Sequence, residues 1–318
     1  MAKYEVKDGV GIIPEGTTEI GMSAFEDCKE LTSVIIPNSV TEIRNSAFSG
    51  CSSLNSIVIP DSVTEIGQYA FSFCTGLTSI VLSNSLTRID YNAFYGCSSL
   101  SNIVIPASVT ELSEPFIGCP ALKSIIVDKN NKVYDSRNDC NAIIETATNK
   151  LISGSAATII PDTVIEIEAN AFSGCSNLTN IVIPDSVTKI GEYVFNGCIG
   201  LTDIIIPKSV KTIGNRVFRN CTNLKSVSIL GPVSNLDAPF FVDDPNNINS
   251  FKSLQQENLE TLTFGTGIKK ISGDLFYVCP NVKTIYVPAK KTDYYKERLS
   301  DYMRDIIVEL PVEKKAKK

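Results

Sequence analysis

Cysteine is the residue type in this chain with the greatest potential for chemistry. The sequence has 10 cysteines, and Cys28, Cys51, Cys74 and Cys97 are 23 residues apart. Each of these lies three residues after a phenylalanine, and so do the following five: Cys119, Cys175, Cys198, Cys221 and Cys279. Thiols in such numbers could bind zinc, form disulfides or act as nucleophiles. Cys140 alone lies outside this pattern.

The spacing argues against zinc and against disulfides. Zinc sites usually contain a Cys-x-x-Cys pair or histidine, and this chain has neither. In a stack of identical coils, neighbouring cysteines would lie ~4.8 Å apart, which is within disulfide range. Their Cα–Cβ bonds would be parallel, however, which does not give the near-perpendicular torsion of a disulfide. We therefore predict that the repeated cysteines are buried and reduced, and that Cys140 is the most reactive thiol.

Other catalytic and metal-binding arrangements find no support in the sequence. The absence of histidine excludes Ser-His and Cys-His nucleophiles and every His-ligated metal. Two stretches rich in asparagine and aspartate, 128–139 and 243–249, offer oxygen ligands that suit calcium. Neither has the spacing of a known calcium loop, so we interpret both as solvated loops. We expect no enzyme activity, no metal and no cofactor.

Composition and charge narrow the class of protein. The 318-residue chain is 43% apolar, which allows a large core. The net charge of the chain is −6. Segment 288–318 has 9 basic and 6 acidic residues, so the rest of the chain has 20 basic and 29 acidic residues and a net charge of −9. An acidic body argues against nucleic acid. No apolar run is long enough for a membrane span, and the start lacks the features of a signal peptide, so a complete chain would be cytoplasmic.

Phenylalanine follows the same period and defines a repeat. Two series have members 23 residues apart: Phe25, Phe48, Phe71 and Phe94, then Phe172, Phe195, Phe218 and Phe241. In one repeat, Leu54, Ile57 and Ile59 have the spacing of inward side chains on a strand. Pro60 should end that strand, and Val63 begins a second short extended piece. The Ala-Phe step is predicted to be a helical or 3₁₀ turn.

The end of each Ala-Phe turn is predicted to have a left-handed backbone. Residues that tolerate this conformation best occupy that position: Asp27, Gly50, Gly96, Gly118, Gly174, Gly197 and Asn220. Phe73 and Val278 break the pattern. We infer that left-handed backbone is favoured there but not obligatory.

Stacked repeats of this kind predict a right-handed solenoid, mostly β with short helical turns, of about eleven coils of 23 residues. Residues 1–310 are predicted to be one domain, with a hairpin insertion at 128–158 and a loop insertion at 242–256. A cap at 288–310 should consist of a helix with Tyr295, Leu299 and Tyr302 on one face, followed by a strand at 306–308. Residues 311–318 form a basic tail.

The repeated pattern Ala-Phe-x-Gly-Cys-x-x-Leu-x-x-Ile-x-Ile-Pro-x-Ser-Val-Thr-x-Ile-Gly resembles the BspA-like leucine-rich-repeat family. The resemblance covers residues from about Gly11 to Leu310 and depends on structural positions. Members of that family are commonly secreted or surface proteins, and some are adhesins. The resemblance thus implies a secreted or cell-surface protein that binds host or cell-surface proteins.

Two groups of side chains are candidate binding surfaces. The first is the outward position on successive strands, here named the apolar stripe: Ile35, Val58, Val81, Val104 and Ile126. The second, here named the aromatic group, lies at the turns: Tyr69, Phe73, Tyr91 and Tyr95. Ordinary strand propensity could explain the stripe, and packing between turns could explain the aromatic group. We predict a monomer that binds a host matrix or surface protein through the stripe, with an intracellular scaffold and a carbohydrate-binding module as alternatives.

Overall fold

The computed structural model describes residues 4–233, 257–268, 279–299 and 301–311. The fold is a β-solenoid of about 12 turns of roughly 23 residues with almost no helix, which confirms the predicted fold class. Contacts divide it into two compact units. Unit 1 consists of Met1–Pro161 and Asn170–Asn177, and unit 2 consists of Asp162–Ala169 and Leu178–Lys318. The single domain over 1–310 stays a prediction.

Unit 1 is built from very short strands, because each coil turns a corner every few residues. Its strands are β1 (Glu5–Lys7), β2 (Val10–Ile12), β3 (Glu19–Ile20), β4 (Ser33–Ile35), β5 (Glu42–Ile43), β6 (Ser56–Val58), β7 (Glu65–Ile66), β8 (Ser79–Val81), β9 (Arg88–Ile89), β10 (Asn102–Ile105), β11 (Glu111–Leu112), β12 (Ser124–Val127), β13 (Tyr134–Asp135), β14 (Ala142–Glu145) and β15 (Lys150–Gly154). One face holds β2 with β4, β6 with β8 and β10 with β12, each pair parallel. A second face holds β3, β5, β7, β9 and β11 in one parallel sheet.

Alternation along each strand decides what is buried. In β6 and the residue after it, Ile57 and Ile59 point inward and are 3% and 2% exposed, while Val58 between them is 64% exposed. In β7, Ile66 is fully buried and Glu65 faces outward. Each coil therefore contributes inward branched side chains from two sheets, as the sequence predicted.

Two left-handed positions in each coil shape the corner that carries the phenylalanine. The predicted position, two residues after the phenylalanine, is confirmed as left-handed at Gly50, with φ 73°. Phe73, at the same position of the next coil, is also left-handed, with φ 55°. Phe73 agrees with the expectation that left-handed backbone is favoured at this position, and the ladder of hydrogen bonds keeps that conformation although the side chain does not favour it. Phe48 N–H donates to Ala70 O at 2.7 Å, and Gly50 N–H donates to Ser72 O at 2.8 Å.

The second left-handed column was not predicted from the sequence. It lies two residues before each phenylalanine and has φ values of 45° to 58°: Ser23, Ser46, Tyr69, Asn92, Glu114, Asn170, Tyr193 and Arg216. A left-handed residue on either side of the Ala-Phe step prevents a continuous helix. The corner is accordingly a series of hydrogen-bonded turns, such as Cys51 N–H to Phe48 O at 3.1 Å.

Stacked phenylalanine rings form the centre of unit 1. The centroids of Phe48 and Phe71 are 5.1 Å apart and those of Phe71 and Phe94 are 5.5 Å apart, each pair within 5° of parallel. Tyr4 stacks on Phe25 at 5.4 Å and closes the start of the ladder. β1 pairs antiparallel with β2 at the same end.

The predicted insertion contains an antiparallel hairpin. β14 pairs with β15 in antiparallel fashion with a register shift at Ile143 and Ile144, and β13 pairs with β14. Arg137 holds the loop before β14 by donating from Nε to Asp135 Oδ1 at 2.8 Å and from Nη1 to Asn149 Oδ1 at 2.7 Å. The insertion is therefore a packed, hydrogen-bonded element.

Unit 2 repeats the same design and ends in a cap. Its elements are β16 (Glu166–Ile167), β17 (Lys189–Ile190), β18 (Asp203–Ile206), β19 (Thr212–Ile213), β20 (Ser226–Ile229), β21 (Thr261–Phe264), β22 (Thr284–Val287), α1 (Thr292–Lys296), α2 (Asp301–Arg304) and β23 (Ile307–Glu309). The cap has two short helices where the sequence predicted one. Tyr295 is buried, stacks on Phe264 at 5.6 Å and donates to Gly265 O at 2.5 Å. β23 then pairs with β22.

Several predictions lie outside the described residues. These are the loop insertion 242–256, the Asn- and Asp-rich stretch 243–249, Phe241, Val278 and, except for Pro311, the tail 311–318.

Candidate functional site

The cysteines form a ladder of buried, reduced thiols, as the sequence predicted. All 10 are free and buried. Four ladder thiols of unit 1, those of Cys51, Cys74, Cys97 and Cys119, donate to the carbonyl of the phenylalanine in the preceding coil, for example Cys74 Sγ to Phe48 O at 3.1 Å and Cys97 Sγ to Phe71 O at 3.1 Å. Burial raises the pKa of the Cys51 thiol to about 12. The ladder therefore holds protonated thiols that complete the core.

Cys140 is not the reactive thiol that its place outside the ladder suggested. It is only 1% exposed, and burial raises its pKa above the ordinary value. The hairpin insertion folds over it, which the sequence did not reveal. Among the ladder cysteines Cys28 keeps 5% exposure and Cys51 none. Thiol accessibility thus depends on position along the stack.

We expect native protein to react slowly with a thiol reagent such as 5,5′-dithiobis(2-nitrobenzoate), because the thiolate is disfavoured and the reagent cannot reach it. Denaturation should expose all 10 thiols. Release of the coloured product, with and without denaturant, measures this. A full set of fast-reacting thiols in the native protein would contradict the ladder, as would disulfides between ladder cysteines.

The Asn- and Asp-rich stretch 128–139 uses its oxygens to hold turns. Asn131 Oδ1 accepts from the backbone N–H groups of Val133 at 2.9 Å and Tyr134 at 2.8 Å. Asp128 Oδ1 accepts from Asn130 N–H at 2.8 Å. Within the described ranges no group of three or more His, Cys, Asp or Glu side chains is placed to hold a metal ion. Stretch 128–139 is therefore a loop held by its own hydrogen bonds, whereas the sequence predicted only a solvated loop.

The apolar stripe lies on the surface of the first sheet face of unit 1. Its members have high exposed fractions: Ile35 77%, Val58 64%, Val81 59%, Val104 51% and Ile126 49%. The strand register places Val58 beside Val81 and Val104 beside Ile126. Ile12 pairs with Ile35 and is 44% exposed, so it extends the stripe by one coil. Its repeat is incomplete at the start of the chain, which is why the sequence missed it.

A shallow depression of about 630 Å³ follows the stripe over three coils. Its lining includes Ile35, Val58 and Val81, with serines on one side. On the other side lie Asn38, Asp61 and Asn84, the residues that start the turn after each strand and that the sequence analysis did not single out. Asn84 N–H donates to Asp61 Oδ1 at 2.8 Å. Their 23-residue spacing was the signal that could have found them.

The structure brings the aromatic group together at the corner of unit 1. Tyr69 and Tyr91 meet edge to face with centroids 5.9 Å apart, and Phe73 and Tyr95 do so at 5.1 Å. Phe73 is 53% exposed, Tyr91 40% and Tyr69 38%. Packing between turns therefore explains only part of each side chain, and aromatic surface remains accessible.

The second sheet face carries charge. Arg44 donates to Glu19 Oε2 and also pairs with Glu42, at 2.9 Å each. Arg88 pairs with Glu65 on the next coils. These ion pairs lie on or next to β3, β5, β7 and β9, so the two sheet faces differ sharply in chemistry. The second sheet face is therefore charged and solvated, whereas the first sheet face presents the apolar stripe.

The described ranges contain no helix with the length and apolar character needed to cross a bilayer. The chain has similar folds among solved structures. A leucine-rich repeat protein from Eubacterium ventriosum is 26% identical with a TM-score of 0.65, over 88% of this chain and 81% of that one. A leucine rich cell surface protein from Faecalibacterium prausnitzii is 28% identical with a TM-score of 0.63, over 89% and 73%. The pneumococcal vaccine antigen PcpA, at 22% identity and a TM-score of 0.61 over 88% and 74%, shares the fold.

No curated protein matches the chain. The model of the BspA type leucine rich repeat region matches residues 12–140, 155–255 and 247–308, in six copies. These ranges cover most of the sequence and include the coils that carry the thiol ladder, the apolar stripe and the aromatic group. The chain therefore belongs to the BspA-type leucine-rich-repeat family.

Proposed function

We propose that this chain is a non-enzymatic module that binds a protein partner on the apolar stripe of unit 1 and acts as an adhesin at a cell surface. The observation that carries the proposal is the exposure of five branched apolar side chains, 49% to 77% each, in one line across adjacent coils. Contiguous exposed apolar patches in soluble proteins tend to be interaction sites.

The family supports this assignment at a general level. Leucine-rich-repeat proteins of this kind typically bind proteins or mediate adhesion and are non-enzymatic scaffolds. The similar protein from Faecalibacterium prausnitzii is named as a cell surface protein. A surface location for this chain and a host partner are parts of the proposal.

The spacing of the stripe favours a helical partner segment. Side chains on neighbouring coils are ~4.8 Å apart. A helix presents one side-chain row every ~5.4 Å, whereas alternate residues of an extended strand are ~6.6 Å apart. A slightly inclined helix matches the ladder and an extended strand does not. The flanking Ser33, Ser56, Asn38 and Asp61 would then hydrogen bond to polar groups beside the partner's apolar row.

The paired change Val58→Lys with Val81→Lys should abolish partner binding and leave the free energy of unfolding nearly unchanged. Both side chains point to solvent, so the core stays intact, while two charges would have to be buried under the partner. Binding to a panel of purified extracellular-matrix proteins, and attachment of protein-coated beads to cultured epithelial cells, measure the effect.

The matched control is Thr64→Lys with Thr87→Lys. These two exposed residues have the same 23-residue separation and add the same charge on the second sheet face. The control should bind as the unaltered protein does. Equal loss in both pairs would reflect charge alone, and retained binding in the valine pair would move the site away from the stripe. Loss of folding in the valine pair would mean that the stripe belongs to the core.

A further inference from the structure

We propose that the aromatic group of unit 1 binds a basic side chain of a partner protein, with an arginine guanidinium as its preferred ligand. This site is at the corner of the coils and is separate from the apolar stripe. It does not depend on the function proposed for the stripe.

The aromatic group includes two large side chains at backbone positions that the fold makes left-handed from coil to coil. Tyr69 and Phe73 both have φ 55°, in the left-handed region that side chains rarely adopt. Neighbouring coils have Ser46 and Asn92 at the position of Tyr69, and Gly50 and Gly96 at the position of Phe73. Large aromatic residues are disfavoured there, and the exposed halves of these rings recover no core packing. Because the fold imposes this conformation on the neighbouring coils as well, it is the choice of large, half-exposed aromatic side chains at these disfavoured positions that points to a ligand site.

The charge around the group is negative. Between Asp61 and Gly118 the chain has five carboxylates, Asp61, Glu65, Asp90, Glu111 and Glu114, and a single basic residue, Arg88, a net charge of 1 − 5 = −4. Asp90 directly precedes Tyr91 and accepts from its backbone N–H at 2.7 Å. Burial, and then the Glu114 carboxylate, raise the pKa of Tyr91. Two of these carboxylates, Asp90 and Glu114, lie beside Tyr91, and the acidic segment adds a negative field, so the charge at this corner favours a cation.

Unit 2 contains an arginine–tyrosine contact of the kind that we propose for the aromatic group. Tyr193 and Arg216 occupy the corresponding left-handed position in two successive coils of unit 2. The Arg216 guanidinium lies 5.4 Å from the centroid of the Tyr193 ring, and its Nη1 donates to Tyr193 Oη at 2.6 Å. In the cap, the Arg298 guanidinium lies 3.7 Å from the Tyr294 centroid. In unit 1 the residue that corresponds to Arg216 is Asn92, so the chain itself supplies no guanidinium at that position.

A cation over an aromatic face is stabilised by the ring quadrupole, and arginine also stacks flat on it. A pyranose could pack on the same rings and donate hydroxyl hydrogen bonds to the carboxylates, but only a cation also gains the attraction of their net charge. Charge therefore selects between these two ligands. The aromatic group thus forms a cation–π site that Asp90 and Glu114 complete.

The test uses the full chain and the peptide acetyl-Gly-Arg-Gly-Arg-Gly-amide, with a citrulline analogue of the same shape and no charge. Three of the 11 tyrosines belong to the aromatic group and the protein has no tryptophan, so the spectra of isotope-labelled tyrosines resolve the site and total tyrosine emission includes its signal. We expect millimolar binding of the arginine peptide that weakens with salt, and much weaker binding of the citrulline peptide.

The variant Phe73→Gly with Tyr91→Gln should weaken the arginine peptide by about two- to fivefold or more. Both new residues occur at the same positions of neighbouring coils, Gly96 and Gln68, so folding should be retained and is checked by denaturation. Glu114→Gln should also weaken binding. The Val58→Lys with Val81→Lys protein should bind the peptide as before, which separates this site from the stripe. Equal binding of the citrulline peptide, unaltered binding by the aromatic variant, or no binding by the original protein would each overturn the proposal.

Discussion

Replacing Phe71 with alanine should lower the free energy of unfolding by about 3–5 kcal/mol. Phe71 is completely buried and lies between Phe48, at 5.1 Å, and Phe94, at 5.5 Å. Alanine would remove the ring contacts with both neighbours and leave a cavity between coils whose backbones are fixed by hydrogen bonds. Such a site cannot collapse to fill the space, which places the cost at the high end for core truncations.

Chemical denaturation followed by circular dichroism measures this loss. Phe71→Leu keeps most of the volume and should cost less than the alanine variant. Thr75→Ala changes an exposed side chain in the same coil and should cost less than about 0.5 kcal/mol. Similar costs for Phe71→Ala and Thr75→Ala would show that the inward register of the repeat has been misassigned.

Adding a single methyl group at Gly154 should destabilise unit 1 by about 1–3 kcal/mol or more. Gly154 ends β15, and a Cβ atom there would lie 2.2 Å from Cε1 and 2.6 Å from Cζ of the buried Phe172 ring. That ring has no room to retreat, because it belongs to the core. Glycine at this position is therefore required by close approach, since its φ is not in the left-handed region.

A double-mutant cycle tests the cause of that cost. Phe172→Leu alone should destabilise by removing ring contacts, and Gly154→Ala alone by the clash. If the clash is responsible, the double variant should be more stable than the sum of the two losses predicts. Strictly additive losses, measured by the same denaturation, would mean that the methyl group acts through something other than the ring.

The sequence predicted those features that depend on residue type at a fixed period. Phe71, Cys74 and Ile57 recur with the same chemistry in coil after coil, so their inward register followed directly. The left-handed column at Tyr69 was not predictable in this way, because the residues in it share no chemistry. Its conformation comes from the hydrogen bonds of the neighbouring coils, which hold the backbone for any side chain.

The candidate surfaces were predictable in position but not in extent. Val58 and Val81 follow from strand alternation, whereas the contribution of Ile12 depends on a terminal hairpin that the repeat does not describe. Cys140 was misjudged for the same reason. An insertion has no period, and only its folded hairpin shows that the thiol is covered. Sequence reasoning was therefore strongest inside the repeat and weakest where the repeat is interrupted.

The hydrogen bonds of unit 1 also have a consequence for how such genes change. Thr64 N–H donates to Thr41 O, and Thr87 N–H donates to Thr64 O, each at a separation of 23 residues. Each interior coil therefore presents the same backbone donors and acceptors to the coils on either side, so one interior coil can replace another in the stack. Unequal crossing-over that duplicates or removes one whole coil leaves every bond with a partner. Proteins of this kind can thus gain or lose whole coils while their outward side chains diverge. The length of the binding surface and its specificity can therefore evolve separately.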